Sequence, residues 1–107
     1  MDLLQGTLDV LVLRTLAGGA MHGYAVSRAI HERTRGELEI DYAPLYKALH
    51  RLARAGCVSA AWGTSENGRR ARYYSLTPRG RERMRDEENA WRRYARAVFR
   101  VLEPSDA

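Results

Sequence analysis

Tyr46, Lys47, His50, Arg51 and Arg54 fall on one side of a helical stretch, residues 41–56, whose other side carries Leu45, Ala48, Leu49 and Leu52 at i, i+3, i+4 and i+7. Phenol, imidazole, ammonium and guanidinium groups are hydrogen-bond donors, so the chemistry open to that face is the binding of an anion, phosphate oxygens and base edges above all. A solvated surface helix has the same pattern, and the stretch alone leaves the two readings level. Three more arginines, Arg69, Arg70 and Arg72, lie just downstream at the turn between two β-prone runs, 58–62 and 71–76. A charged loop tip is the plain reading of these; the basic helix just before them favours a phosphate clamp. The whole chain leans the same way. Net charge is +5 over 107 residues, and 17 of the 18 basic residues are arginine, whose planar fork suits bidentate contacts to phosphate and guanine. Genomic base composition also enriches arginine, so the excess supports nucleic-acid binding without deciding it.

Other chemistry finds little support. Cys57 is the only cysteine, which excludes an internal disulfide and any multi-cysteine metal site and fits a reducing compartment. No sequence pattern pairs it with a histidine, and at the start of a strand it reads as a small core residue. His22, His31 and His50 sit on different elements, away from metal-ligand spacing, and His22 reads as a helix cap. With no constellation of nucleophile, base or metal ligand, no catalytic residue, metal or cofactor is assigned, and the chain is not read as an enzyme. The apolar N-terminal run is broken by Asp9 and Arg14 and lacks a basic leader, so it reads as neither a secretory signal nor a membrane span. A cytoplasmic protein without a membrane partner is expected.

The elements that must position these groups belong to a single domain with one core. A first helix is expected over about residues 3–17, with Leu4, Leu8, Leu11 and Thr15 in one stripe and Val10, Leu13 and Ala17 in another. Apolar on two sides, it needs two partners, the local core and a subunit interface. Gly18 and Gly19 stop it. A second helix follows over 22–33 with Val26, Ala29 and Ile30 inward, then a turn at 34–36 and a short strand edge at 38–40. Asp41 is placed to cap the basic helix, which tolerates Pro44 in its first turn and ends at Gly56. Asn67 and Gly68 mark the turn of a β-hairpin, since both accept positive φ at low cost. Thr77 and Pro78 open a last helix that runs to about Leu102 before Pro104. On it Met84, Trp91 and Val98 repeat at seven, with Ala95 and Leu102 four residues beyond the last two and Tyr94 and Val101 beside them. Glu88 interrupts the seam, which therefore reads as packing against a partner subunit and not as a continuous coiled coil.

Three helices, a β-hairpin and a long terminal helix are the order of a winged helix-turn-helix with a dimerisation helix appended, a mainly α fold. The expected division is a DNA-binding unit over 1–77 and a dimerisation helix with its tail over 78–107. Specific residues then match a family. Leu4, Gln5, Gly6, Thr7, Leu8 and Asp9, the run Met21, His22, Gly23 and Tyr24, the run Leu45 and Tyr46 followed by Ala48 to Leu52, and residues 63–77 reading GTSENGRRARYYSLT with Gly80 are together similar to the PadR family of bacterial transcriptional regulators. The resemblance implies a homodimer whose third helix enters the major groove, whose wing touches phosphate or minor groove and whose last helix joins the subunits. By position it makes Tyr46 a backbone contact and places Arg69, Arg70 and Arg72 in the wing. Pro44 departs from the pattern, which commonly has Ser or Thr before Leu-Tyr, so one hydroxyl that would bond a phosphate is missing.

A two-fold dimer places its recognition helices about 34 Å apart, so an inverted-repeat operator is expected. Lys47 and His50, nearer the helix N-terminus, are assigned to base readout, and Arg51 with Arg54 to phosphate. The expected function is transcriptional regulation, as a repressor; an effector-sensing or protein-interaction dimer without a direct DNA role is the alternative. Some members of the family respond to phenolic or other aromatic compounds. Trp91 and Tyr94 are accordingly candidates to line a site for a small aromatic effector, with plain interface packing as the competing reading.

Overall fold

The computed structural model describes residues 6–104. Leu3 and Leu4, expected in the first helix, and the start of the first family motif lie outside them. The first helix within this span, α1, is Thr7–Leu16, entered from Gly6 at φ 85°. Then come β1 (Met21–His22), α2 (Gly23–Arg33), α3 (Tyr42–Arg54), β2 (Val58–Thr64), β3 (Arg70–Leu76) and α4 (Pro78–Leu102). The four helices and a three-stranded antiparallel sheet of order β1-β3-β2 make the expected winged helix-turn-helix with a long terminal helix.

The core is built from one face of each element. Leu45, Ala48, Leu49 and Leu52 are all fully buried on α3, as their spacing predicts. They meet Val12, Leu13 and Leu16 of α1 and Val26 and Ile30 of α2. Val12 and Leu16 belong to neither stripe read for the first helix, yet both are buried, because α1 passes through the middle of the domain with helices on several sides. Val58 and Tyr74 close the core from the sheet, and Cys57 is buried beside them.

Several junctions behave as their residue types dictate. The His22 ring accepts the backbone N–H of Ala25 at 3.1 Å, which is the cap expected of it, and Thr77 Oγ1 accepts the N–H of Gly80 at 3.0 Å with Pro78 in the first turn. Gly80 must be a glycine for another reason: a Cβ there would stand 2.0 Å from the Cys57 carbonyl oxygen, so α4 leaves the sheet in direct contact with the backbone after α3.

Other expectations need correction. Asp41 occupies the N-cap position of α3, but its side chain makes no capping bond. Residues 38–40 form no strand; Ile40 is buried and its carbonyl accepts from Ser27 Oγ, while the third strand is β1, where Met21 and His22 pair with Tyr74 and Tyr73. The hairpin strands run two residues further on the first side and one on the second than the apolar runs implied, and the loop closes between Ser65 and Arg69. Of the turn pair only Gly68 takes a positive φ, 75°. Gly68 N–H bonds to the Ser65 carbonyl, so residues 65–68 make a turn followed by a left-handed glycine, a three-residue hairpin loop and not a two-residue one.

The last helix also divides. Gly80, Met84 and Glu88 are buried at i, i+4 and i+8, so Met84, assigned by periodicity to the subunit seam, is instead a core residue at 4% exposure. Glu88 is the hinge between the two halves. Arg14 of α1 grips both of its oxygens, Nε to Oε1 at 2.6 Å and Nη2 to Oε2 at 2.8 Å, which is why an acid stands in an apolar seam. Beyond it Trp91, Tyr94, Val98, Val101 and Leu102 are all exposed.

Candidate nucleic-acid interface

α3 is held by its buried leucines, so its opposite face points outward by construction, and on it Tyr46, Lys47, His50, Arg51 and Arg54 line one shallow depression of about 440 Å³. The wing supplies the second half. In β2 and β3 Trp62 pairs directly with Arg72 and Thr64 with Arg70, so the two arginines flank the indole on the same face of the hairpin. The Arg70 guanidinium carbon lies 4.5 Å from the Trp62 ring centroid and that of Arg72 5.5 Å away. A contact of this kind restricts two long side chains and leaves guanidinium N–H groups available to an anion.

Between wing and helix runs a cleft of about 470 Å³, lined by Tyr42 and Tyr46 of α3, His22, Gly23 and Tyr24 at the start of α2, Trp62, and Arg69, Arg70 and Arg72. Tyr46 lines both concavities and joins them into one surface. Its ring lies against Gly23, where an added Cβ would come within 3.2 Å of the phenol oxygen. Its hydroxyl donates to that of Tyr42 at 3.3 Å. That bond, with burial and the neighbouring Tyr74 adding to it, keeps the phenol protonated, its pKa pushed up to about 12.

The eight residues assigned to DNA contact from sequence are therefore brought to one side of the molecule, with one qualification. Arg51 is bonded to Asp9 of α1 through Nη2 at 2.8 Å and is not a loose surface cation. Sequence reading missed Trp62, Tyr42, Tyr24 and His22. Trp62 was legible in principle, since a residue two before the end of β2 lies opposite the start of the returning strand, where the arginines are. The seam residues separate: Trp91 and Tyr94 line a groove of about 360 Å³ against Gly6, Thr7 and Val10, where Trp91 Nε1 donates to Thr7 Oγ1 at 3.1 Å. Ala95, Val98, Val101 and Leu102 continue beyond it, and Phe99, not anticipated, stands among the arginines beside the stripe. Among the described residues no cluster of three His, Cys, Asp or Glu side chains is placed to hold a metal ion, and no helix is long and apolar enough to cross a membrane.

Comparison with known proteins agrees with this arrangement. The family model described as the transcriptional regulator PadR-like family matches residues 12–86. An uncharacterised protein X of Lysinibacillus sphaericus is 29% identical over 90 residues, 84% of this chain and 83% of that protein. The solved structure of a transcriptional regulator from Clostridium thermocellum superposes with a TM-score of 0.84 at 26% identity, covering 92% of this chain and 93% of the other. That of a PadR family transcriptional regulator from Eggerthella lenta gives 0.78 at 27% identity, over 94% and 86%. With the family model covering all the elements from within α1 into α4, this chain belongs to the PadR-like family of transcriptional regulators.

Proposed function

We propose that this regulator acts in the cytoplasm as a homodimer that represses transcription by occupying an inverted-repeat operator, α3 in the major groove and the wing on the adjoining backbone. The observation that carries this reading is the convergence of two donor surfaces at Tyr46, the outer face of α3 and the arginine-lined cleft under the wing. A groove-reading helix flanked by a backbone clamp needs that adjacency, because phosphate contacts set the register in which base edges are read. Lys47 and His50, nearer the N-terminus of α3 than Arg51 and Arg54, take the base edges; Arg51, Arg54, Arg69, Arg70 and Arg72 take phosphate.

The homodimer rests on the distal half of α4. Five large residues exposed along one stripe, Trp91 to Leu102, form a contiguous apolar surface of the kind that marks a protein contact. Residues 1–77 thus serve DNA and 78–107 serve assembly, a division of roles and not of cores, since the first turns of α4 are buried with the rest. Trp91 and Tyr94, in their groove beside α1, support a small aromatic effector; packing of the two rings against a partner subunit is the competing reading, favoured by the way large aromatics commonly anchor such contacts. Selection of bound duplexes from a random pool tests the central statement. Enrichment of an inverted repeat with half-site centres about 10 base pairs apart is expected. A pool that enriches nothing would leave the alternative, an assembly or sensing dimer without a DNA role.

A further inference from the structure

Arg51, in the third turn of α3, sends Nη2 back to Oδ1 of Asp9 in the first turn of α1, 42 residues away in sequence. The Asp9 side chain is only 13% exposed, that of Arg51 55%. The second carboxylate oxygen, Oδ2, faces Nη2 of Arg83 on α4 at 3.6 Å, and Arg83 is itself fixed by Nε to Glu87 Oε1 at 2.7 Å. One nearly buried carboxylate therefore lies between a cation of the DNA-facing helix and a cation of the long helix.

A carboxylate so enclosed is held by its guanidinium partners, because its other recourse, water, is largely removed. The effect on Arg51 is directional. The bond occupies Nη2 and restricts the swing of the guanidinium, while the other donors of the planar fork remain open to an anion. A solvated arginine follows whichever phosphate comes near, at the cost of its rotamer freedom; one held from behind has already lost that freedom and meets an anion only where the duplex presents it in the matching place.

We propose that Asp9 is a positioning residue for DNA recognition, holding the Arg51 guanidinium so that it engages the duplex only in the register set by α3. The inference rests on the reading above that α3 faces DNA, and the two fail differently: if the parent chain enriches no duplex, the functional reading falls and this one with it.

With the selected operator in hand, affinities for operator and for a scrambled duplex are measured across a salt series for the parent, Asp9→Asn, Arg51→Ala and the double variant. Asp9→Asn is expected to bind the scrambled duplex more tightly, with a salt dependence steeper by about one ion per protomer. Its operator-to-scrambled ratio should fall roughly three- to tenfold, the range for loss of one partly exposed ion pair that also sets geometry. Added to Arg51→Ala, the same substitution should leave the ratio where Arg51→Ala alone puts it. A parental ratio and slope in Asp9→Asn, or an equal loss of ratio with and without Arg51, would overturn the proposal. Asp9→Ser, which also removes the carboxylate, takes its place in the same cycle should the asparagine variant not fold.

Discussion

The Tyr46 hydroxyl is held by Tyr42 on one side and lies against the start of α2 on the other, so the phenol arrives at the interface already oriented and protonated. Tyr42, exposed one turn earlier, accepts that hydrogen bond and retains its own O–H as a donor, a hydroxyl near the helix N-terminus of the kind Pro44 removes. Tyr46→Phe should therefore keep the fold and the packing on Gly23 but leave the Tyr42 hydroxyl without the bond that orients it, and operator affinity should fall by up to about 1 kcal/mol, the net worth of one hydrogen bond. Unchanged affinity by titration against the selected operator would show that the Tyr46–Tyr42 bond orients no donor toward DNA. Trp62 makes a complementary prediction. Trp62→Leu leaves every charge of the wing in place but removes the seat of Arg70 and Arg72, so affinity should fall by about 0.5–1 kcal/mol with the salt dependence unchanged. The side chains facing out from α3 could be named from spacing because the leucines opposite fix the helix rotation. The Arg51–Asp9 pair could not, since contacts across 42 residues leave no local pattern.

Among the elements, α4 shows what periodicity conveys and what it omits. The seven-residue repeat identified an apolar stripe correctly, but a stripe says nothing of who covers it, and Met84 proved to be covered by this chain's own core. The two halves should respond oppositely to substitution. Met84→Ala should lower unfolding stability by about 2–4 kcal/mol in chemical denaturation, as deletion of a buried side chain does, while Leu102→Asp should leave the protomer's fold intact and act on assembly, read by sedimentation. Glu88 between them has a pH signature. Its bonds to Arg14 hold its pKa below the ordinary 4.5, against a smaller opposing effect of burial. A lowered carboxylate pKa contributes stability that is fully present above the unfolded value and is lost as pH falls through the folded one. Stability should thus decline below about pH 4.5 in the parent, and less so in Glu88→Gln, which at neutral pH should be weaker by about 1–2 kcal/mol because half of the pair is open to water. The short strand β1 was not legible for a related reason: two residues carry no alternation, and only the open edge of β3 makes Met21 and His22 a strand.

For the whole molecule, the number of arginines is a poor guide to its affinity for DNA, because several of them are paired with carboxylates. Arg14, Arg28, Arg83 and Arg92 are engaged with carboxylates, whereas Lys47, Arg51, Arg54, Arg69, Arg70 and Arg72 gather on the proposed interface, Arg51 held there by Asp9. Counterion release counts the second group, once per protomer in contact. If both protomers of a dimer engage and six or more phosphates are neutralised, operator affinity should fall about a thousandfold between 50 and 200 mM salt. The dimer enters this number directly. The protomer is 61 Å in its longest dimension, with the exposed end of α4 reaching beyond the winged unit, so two copies joined there would present two α3 helices to one duplex. Leu102→Asp, if it yields a folded monomer, should therefore bind with about half the parental salt slope and without the avidity of the second half-site. A monomeric variant that kept the full slope would place all the phosphate contacts in one protomer, and the symmetric operator would lose its physical basis.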